Sequence, residues 1–364
     1  MARKYTILLL IPHLGGGGAE RVMAHLARSL PCSQLEVHLG VVVGSPSSSD
    51  ALFPRLHRIK ATRVLFGTPG LLRIVRQLKP DLILSGMFHL NQALLLLRPL
   101  FPRTTRILVR QNGMLAGRIP ALSRWERLLY RVTYRKAEGI ISQTSDMAKE
   151  ITQLLGQRAP VHVLRNPVDL DGIRRSSERL PTRWGGPGPH LLAIGRLSPE
   201  KGFDLLLDAF AEVRLRHPRA NLTILGEGPD RLTLEARSVA LGLGGKVRFA
   251  GYVSDPAAWF PGTSLLVLPS RNDALPNVLL EGAAAGLPIV ATPCSTGVAE
   301  LLHGKAGIWL ARDCSAASLA ESLKAALAVL RTGQRFRHDW LEPFNLPRVT
   351  AQYRQLILQT VGAE

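Results

Sequence analysis

Short, nearly continuous apolar runs alternate along the chain with longer stretches whose apolar residues return every third or fourth position. In the first half the runs Tyr5–Ile11, Leu35–Val43, Leu82–Ser85, 106–109, Gly139–Ser142 and 161–164 predict buried strands. Residues 19–30, 70–79, 122–136 and 145–155 predict the helices between them; Val22, Leu26 and Leu30 share one face of the first. The pattern resumes in the second half. Strands are expected at 191–194, 222–225, 247–250, Leu265–Leu268, 288–291 and Ile308–Leu310, and helices at 204–216, 317–330 and 345–361. Alternation of this kind predicts an α/β fold with two Rossmann-like, doubly wound parallel sheets, whose facing halves would enclose a central cleft. Residues 171–190, with Arg174-Arg175-Ser176-Ser177 and a Gly/Pro cluster at 185–189, are expected to form a linker or exposed loop. The expected domains are 1–170, 171–340 and a C-terminal helix in 341–364 that would pack back on the first.

The length of 364 residues fits two domains at roughly 150 residues each. With 46% apolar and 20% charged residues, the composition is that of a globular chain. No apolar run approaches the roughly 20 residues that span a bilayer; the longest, Leu90 to Leu97, contains Asn91-Gln92 and is stopped by Arg98. Arg3 and Lys4 precede an apolar stretch as in a signal peptide, but Pro12-His13 interrupts it and no small-residue cleavage site follows, which predicts a first strand instead. Cys32, Cys294 and Cys314 are too few and scattered for a disulfide framework or zinc site, so a cytoplasmic location is expected. Charge is lopsided. The net is +19, with 24 basic against 8 acidic residues in 1–168 and 22 against 19 in the remainder. The first half is therefore expected to meet an anionic partner: nucleic acid, a membrane surface or an acidic substrate.

Three places carry candidate chemistry. Gly15–Gly18 links a strand to a helix and either lets backbone N–H groups approach an anion or is a plain tight turn. It fits neither a dinucleotide fingerprint, since Glu36 opens the second strand instead of ending it, nor a phosphate-loop NTPase, since no Gly-Lys-Ser/Thr follows. Arg196 and Lys201 stand at a strand-to-helix turn where both could reach one diphosphate, or they are solvated loop cations. Asp273 and Glu281 sit eight apart around a helix start marked by Pro276. Free N–H groups near Leu275 and Asn277 suit a phosphate, and Glu281 suits vicinal hydroxyls. Alternatively Asp273 caps the helix and Glu281 is paired or solvated.

Taken together, Gly15–Arg21, Asn166-Pro167-Val168-Asp169, 195–205, Gly226-Glu227-Gly228-Pro229 and 273–281 resemble, in order and spacing, the retaining nucleotide-sugar glycosyltransferases of family 4, over nearly the whole chain. The resemblance implies the GT-B fold, with 1–170 as acceptor domain and 171–340 as donor domain. It implies that Gly16 and Gly17 abut the donor, that Arg196 and Lys201 neutralise the diphosphate, and that Glu281 binds the ribose. Asp273 stands where the family usually has Glu, one methylene shorter. Backbone at Tyr252, Val253 and Ser254 would flank the base, and Asp273, Leu275, Pro276 and Asn277 complete the donor set. The family histidine of the acceptor side is replaced by Gln111, beside Asn112; His89 and Asn91 are substitute candidates, the alternative for His89 being a plain loop histidine. Glu20 and Glu300 also match family positions, where either could simply favour a helix start.

These expectations define a catalytic set of Arg196, Lys201 and Asp273, no cofactor and no metal. Asp169-Leu170-Asp171 matches a metal-binding Asp-x-Asp but overlaps the Asn-Pro-Val-Asp element, and the two cations with a helix terminus can stabilise the leaving charge instead. From Leu122 to Lys136, Arg124, Arg127, Arg131 and Arg135 share one face, with Trp125, Leu128, Leu129 and Val132 as apolar surface and Tyr130 and Tyr134 beside them. An anionic membrane surface is expected to meet this helix, placing the protein peripherally on the cytoplasmic face; the alternative is a helix packed on its apolar side with its arginines solvated. A nucleic-acid partner is not expected, with aromatics at 5% and no recognisable module. The expected function is transfer of a sugar, from a UDP-sugar by family habit, to a lipid-linked or polysaccharide acceptor; a non-catalytic sugar-nucleotide binder is the alternative.

Overall fold

The computed structural model describes residues 3–15, 17–44, 48–113, 123–156, 159–179, 184, 188–331 and 333–363. The chain forms two compact units, Met1–Pro167 with Pro343–Glu364, and Val168–Glu342.

The first unit is built on a parallel sheet. Its strands are β1 (Tyr5–Ile11), β2 (Leu35–Val43), β3 (Leu56–Ala61), β4 (Leu82–Ser85), β5 (Arg106–Arg110), β6 (Gly139–Ser142) and β7 (Val161–Val163), in the order β3-β2-β1-β4-β5-β6-β7. β1 is apolar and fully buried from Ile7 to Ile11 because both of its faces are covered there. Ile7, Leu9 and Ile11 join one core with α1 (Gly18–Ser29) and α12 (Leu346–Val361). Leu8 and Leu10 join another with α2 (Thr68–Leu78), α3 (Phe88–Leu96), α4 (Arg124–Tyr134) and α5 (Ser145–Leu155). The C-terminal helix is thus part of the first unit's core, through Val349, Tyr353 and Ile357. Strand order reverses at β1, between β2 and β4, and the turns after these strands form the sheet's carboxyl edge.

The second unit repeats the plan. The order is β10-β9-β8-β11-β12-β13, with β8 (His190–Ile194), β9 (Asn221–Leu225), β10 (Val247–Gly251), β11 (Leu265–Leu268), β12 (Ile289–Ala291) and β13 (Ile308–Leu310). Leu191, Ala193, Leu222, Ile224, Leu265 and Val267 pack on α7 (Phe203–Arg216), α8 (Arg231–Ala240) and α11 (Ala316–Val329). The remaining helices are α6 (Leu170–Arg179), α9 (Asn277–Ala284) and α10 (Thr296–Leu302).

Several expectations change. Of the linker expected over 171–190, residues 171–179 belong instead to α6, whose polar sequence hides a short apolar edge, and 180–183 and 185–187 lie outside the described residues; Leu170 is buried and Asp169 accepts from the Gly172 N–H (2.9 Å) at the helix start. That bond gives Asp169 of the Asp-x-Asp match a local capping task. β3, mixing His57, Arg58 and Lys60 with Ile59, is an edge strand and lacks the apolar run of a central one. Among the described residues no helix is long and apolar enough to cross a membrane, and the cysteines are free thiols.

Candidate functional site

The turn after β8 is shaped by glycine. Gly202 has φ +65°, and a Cβ there would stand 2.1 Å from the Pro269 carbonyl oxygen after β11. Only a residue without a side chain lets these two turns touch. Beside them, a Cβ on Gly226 after β9 would collide with the Gly195 carbonyl at 1.8 Å. The carboxyl ends of β9, β8 and β11 are therefore drawn together. Arg196 is exposed at this edge, and Ser198 Oγ donates to Glu200 Oε1 (2.6 Å) in the one-turn 3₁₀ helix Pro199–Lys201.

Close packing places Lys201 Nζ on the Asp273 carboxylate, an ion pair with side chains 27% and 16% exposed. Asp273 is not the cap of α9; Pro276 flanks the helix in extended conformation, with no side-chain cap. The pair joins two of the three residues expected to be catalytic, with Arg196 on the same turn as Lys201. Leu275 and Pro276 are buried, and Asn277 begins the helix. Glu281 follows, half-buried, in its second turn. Tyr252 is 55% exposed directly after β10, and Val253 is half-buried beside it.

The first unit places its candidates differently. Gly16 lies outside the described residues. Gly17 precedes α1 in extended conformation, and a Cβ on Gly15 would meet nothing within 4 Å, so packing does not require glycine there. Glu20 is buried in the first turn of α1, and Glu300 is exposed on α10. His89 is exposed on the first turn of α3, edge-on to Phe88. Asn91 is fully buried and donates to the Arg110 carbonyl (3.0 Å) and to Tyr134 Oη (3.2 Å). Gln111 is 2% exposed, within 3.5 Å of Tyr134 Oη.

Around them is a cluster in which Asn112 and Asn166 meet two residues that motif reading gave no role, Arg110 and Gln143. Arg110, the last residue of β5, is 0% exposed. Its Nε donates to Tyr353 Oη on α12 (3.2 Å), and its two Nη groups donate to Asn112 Oδ1 and Asn166 Oδ1. Gln143 donates to Asn112 Oδ1 (3.2 Å), and Asn166 donates to Gln143 Oε1 (3.4 Å), which closes a ring of four side chains. Asn112 also donates to the Gly86 carbonyl after β4. None of these partners is a carboxylate. The available signal was positional: each is a polar residue just past an apolar strand run.

On α4, Ser123 and Glu126 form a reciprocal capping box, and the Ser123 hydroxyl and amide hold the Glu126 carboxyl below its usual range. Tyr130, Thr133 and Tyr134 point inward. Trp125, Leu128, Leu129 and Val132, spaced i, i+3, i+4 and i+7, are all exposed, Trp125 at 79%. Of the four arginines, Arg124 and Arg131 are exposed and Arg127 is half-buried, whereas Arg135 donates to the Leu155 carbonyl (3.3 Å). Leu122 lies outside the described residues.

Comparison with known proteins adds the following. Residues 16–171 match the family model Glycosyltransferase Family 4, and 188–328 match Glycosyl transferases group 1. The lipopolysaccharide core biosynthesis glycosyltransferase LpsE of Rhizobium meliloti is 26% identical over 357 residues, covering 95% of this chain and 97% of that one. An uncharacterized glycosyltransferase of Methanocaldococcus jannaschii is 28% identical over 252 residues, 66% of this chain and 62% of that protein's length. Among solved structures, Anabaena HepE in complex with UDP and glucose superposes with TM-score 0.81 at 16% identity, covering 97% of this chain and 99% of HepE. The lipopolysaccharide outer core galactosyltransferase WaaB superposes with TM-score 0.67 at 16% identity, covering 97% and 99%.

Proposed function

The chain belongs to the family 4 glycosyltransferases and has their GT-B fold, and on that premise we propose that it moves a hexosyl or N-acetylhexosaminyl group from a UDP-sugar to a lipid-linked or polysaccharide acceptor at a membrane surface, with retention and without a metal. The observation that carries the donor side is the Lys201–Asp273 pair, at a turn shared with exposed Arg196 and next to the start of α9. Breaking the bond from the anomeric carbon to the phosphate oxygen sends the electron pair to the diphosphate. Lys201, Arg196 and the α9 N–H groups face that growing charge, and preorganised donors of this kind lower a barrier by about 3–4 kcal/mol each. An arriving diphosphate competes with Asp273 for the ammonium, which frees the carboxylate to accept from a sugar hydroxyl. The UDP complexes of HepE support the choice of nucleotide.

The membrane side rests on α4. Its core-facing positions hold two tyrosines and a threonine, so the outward Trp125-to-Val132 stripe is surplus to the fold. Arg124, Arg131 and Lys136 are exposed near it, and this combination suits an interface of anionic headgroups over acyl chains. Binding a sugar nucleotide without turnover is the second reading, favoured by the short Asp273.

One experiment tests both sides. UDP release from a panel of UDP-sugars is followed with anionic vesicles carrying a crude glycolipid acceptor fraction, with neutral vesicles, and with EDTA. Release is expected with one or two sugars, stimulated by the anionic vesicles and unaffected by EDTA. UDP binding without release under any condition would support the second reading. Equal activity on both vesicle types would remove the membrane proposal.

A further inference from the structure

The turn between β11 and α9, which presents Asp273, is held on both flanks. On one flank, Thr292 is 1% exposed and its Oγ1 donates to the Ser270 carbonyl (2.5 Å), close also to the Leu268 carbonyl (3.2 Å). Two residues on, the Cys294 thiol donates to the carbonyl of Asp273 itself (3.6 Å), and Ser295 Oγ lies 3.3 Å from the Ala274 carbonyl. Burial, reinforced by Asp273, pushes the Cys294 thiol up to about 12, so it stays protonated and able to donate. On the other flank, Arg271 grips Asp204 with both terminal nitrogens (2.6 and 2.5 Å) and donates to the Pro199 carbonyl (2.9 Å). The hydrogen bonds of this pair hold the Asp204 carboxyl below its usual range and raise the guanidinium. The N–H groups of Arg271 and Asn272 both donate to the Glu200 carbonyl (2.8 and 3.2 Å), one residue before Lys201.

The side chains of Thr292 and Arg271 are spent on protein groups. Their common effect is to set the spacing between Lys201, Asp273 and the opening of α9. Resting on the donor assignment above, we propose that Thr292 and Arg271 are positioning residues for the diphosphate, acting through the 270–276 turn and not by contact with the donor. Misplacement of a binding group by about 1 Å can cost on the order of 100-fold in rate, so a clamp on this turn has functional weight beyond the stability it adds.

The test compares UDP with UMP, because the β-phosphate is the group that the turn serves. Calorimetric titrations use the full chain as wild type, Thr292→Val, Thr292→Ser and Arg271→Lys. Wild type is expected to prefer UDP. Thr292→Val, which keeps the shape but loses the hydroxyl, is expected to lose on the order of tenfold of the UDP-over-UMP preference with UMP affinity little changed. Thr292→Ser should restore it. Arg271→Lys should lower the preference too, and it decides the matter should the valine variant fail to fold. Equal weakening of both nucleotides, or an unchanged preference in both variants, would overturn the proposal. Failure of wild type to bind either nucleotide would sink the donor assignment itself.

Discussion

Arg110 and Lys201 both stand at the carboxyl edge of a parallel sheet, the first as the last residue of β5 and the second in the turn that follows β8, yet their surroundings are opposite. Arg110 is enclosed, with a tyrosine hydroxyl and two asparagine amides as partners and no acid among them. Lys201 is one-quarter exposed and faces a carboxylate. A guanidinium surrounded by fixed neutral dipoles has no partner that a ligand could displace, so its task is to hold β5, the Asn166 segment and α12 together. An accessible ammonium paired with one carboxylate can exchange that partner for a phosphate. Position at a strand end makes a residue a candidate; what encloses it decides between architecture and chemistry.

The largest expected effect separates the two directly. Lys201→Ala should lower turnover by about 10²–10³-fold. The melting temperature should scarcely move, because a partly exposed pair contributes only about 0–1 kcal/mol. Near-normal turnover would break the comparison. Arg110→Met should do the reverse, reducing stability to urea by about 1–3 kcal/mol for a buried acceptor left unpaired while UDP binding persists. Tyr353→Phe should cost less, and non-additivity of the two changes would sharpen the link between β5 and α12. Acid is expected to have the smallest effect. Burial holds His57 and His162 of the first unit, and His338 of the second, below their ordinary value of 6.5. Each is therefore favoured neutral in the fold. Its contribution is complete above that value and is lost as pH falls through the depressed one. Unfolding monitored between about pH 7 and pH 5 should show a falling midpoint, and a flat profile would contradict the assignment.

Central strands were legible because burial on both faces demands continuous apolar runs; β1, β2 and β11 begin and end where the hydropathy pattern ends. The edge strand β3 and helix α6 were not, since each buries only part of itself and most of its residues meet water. The donor motifs could be located by spacing, and the fold proved to bring Lys201 and Asp273, 72 positions apart, into contact. The alternative in which Asp273 caps α9 could be discarded only with coordinates, because a cap and an ion pair need the same residue type. On α4, periodicity showed an apolar face and a basic one but not which of them the core would take.

Local chemistry written into the chain thus determined the alternation of strands and helices, the two parallel sheets, the charge asymmetry and the family. These depend on side-chain polarity and spacing over a few residues, which fold context seldom reverses. Tertiary structure alone decided that Arg110 is walled in with amides, that Thr292 and Arg271 clamp the Asp273 turn, and that the tryptophan stripe of α4 faces outward. Each outcome depends on what distant segments deliver to one place, and a linear sequence carries no measure of that distance.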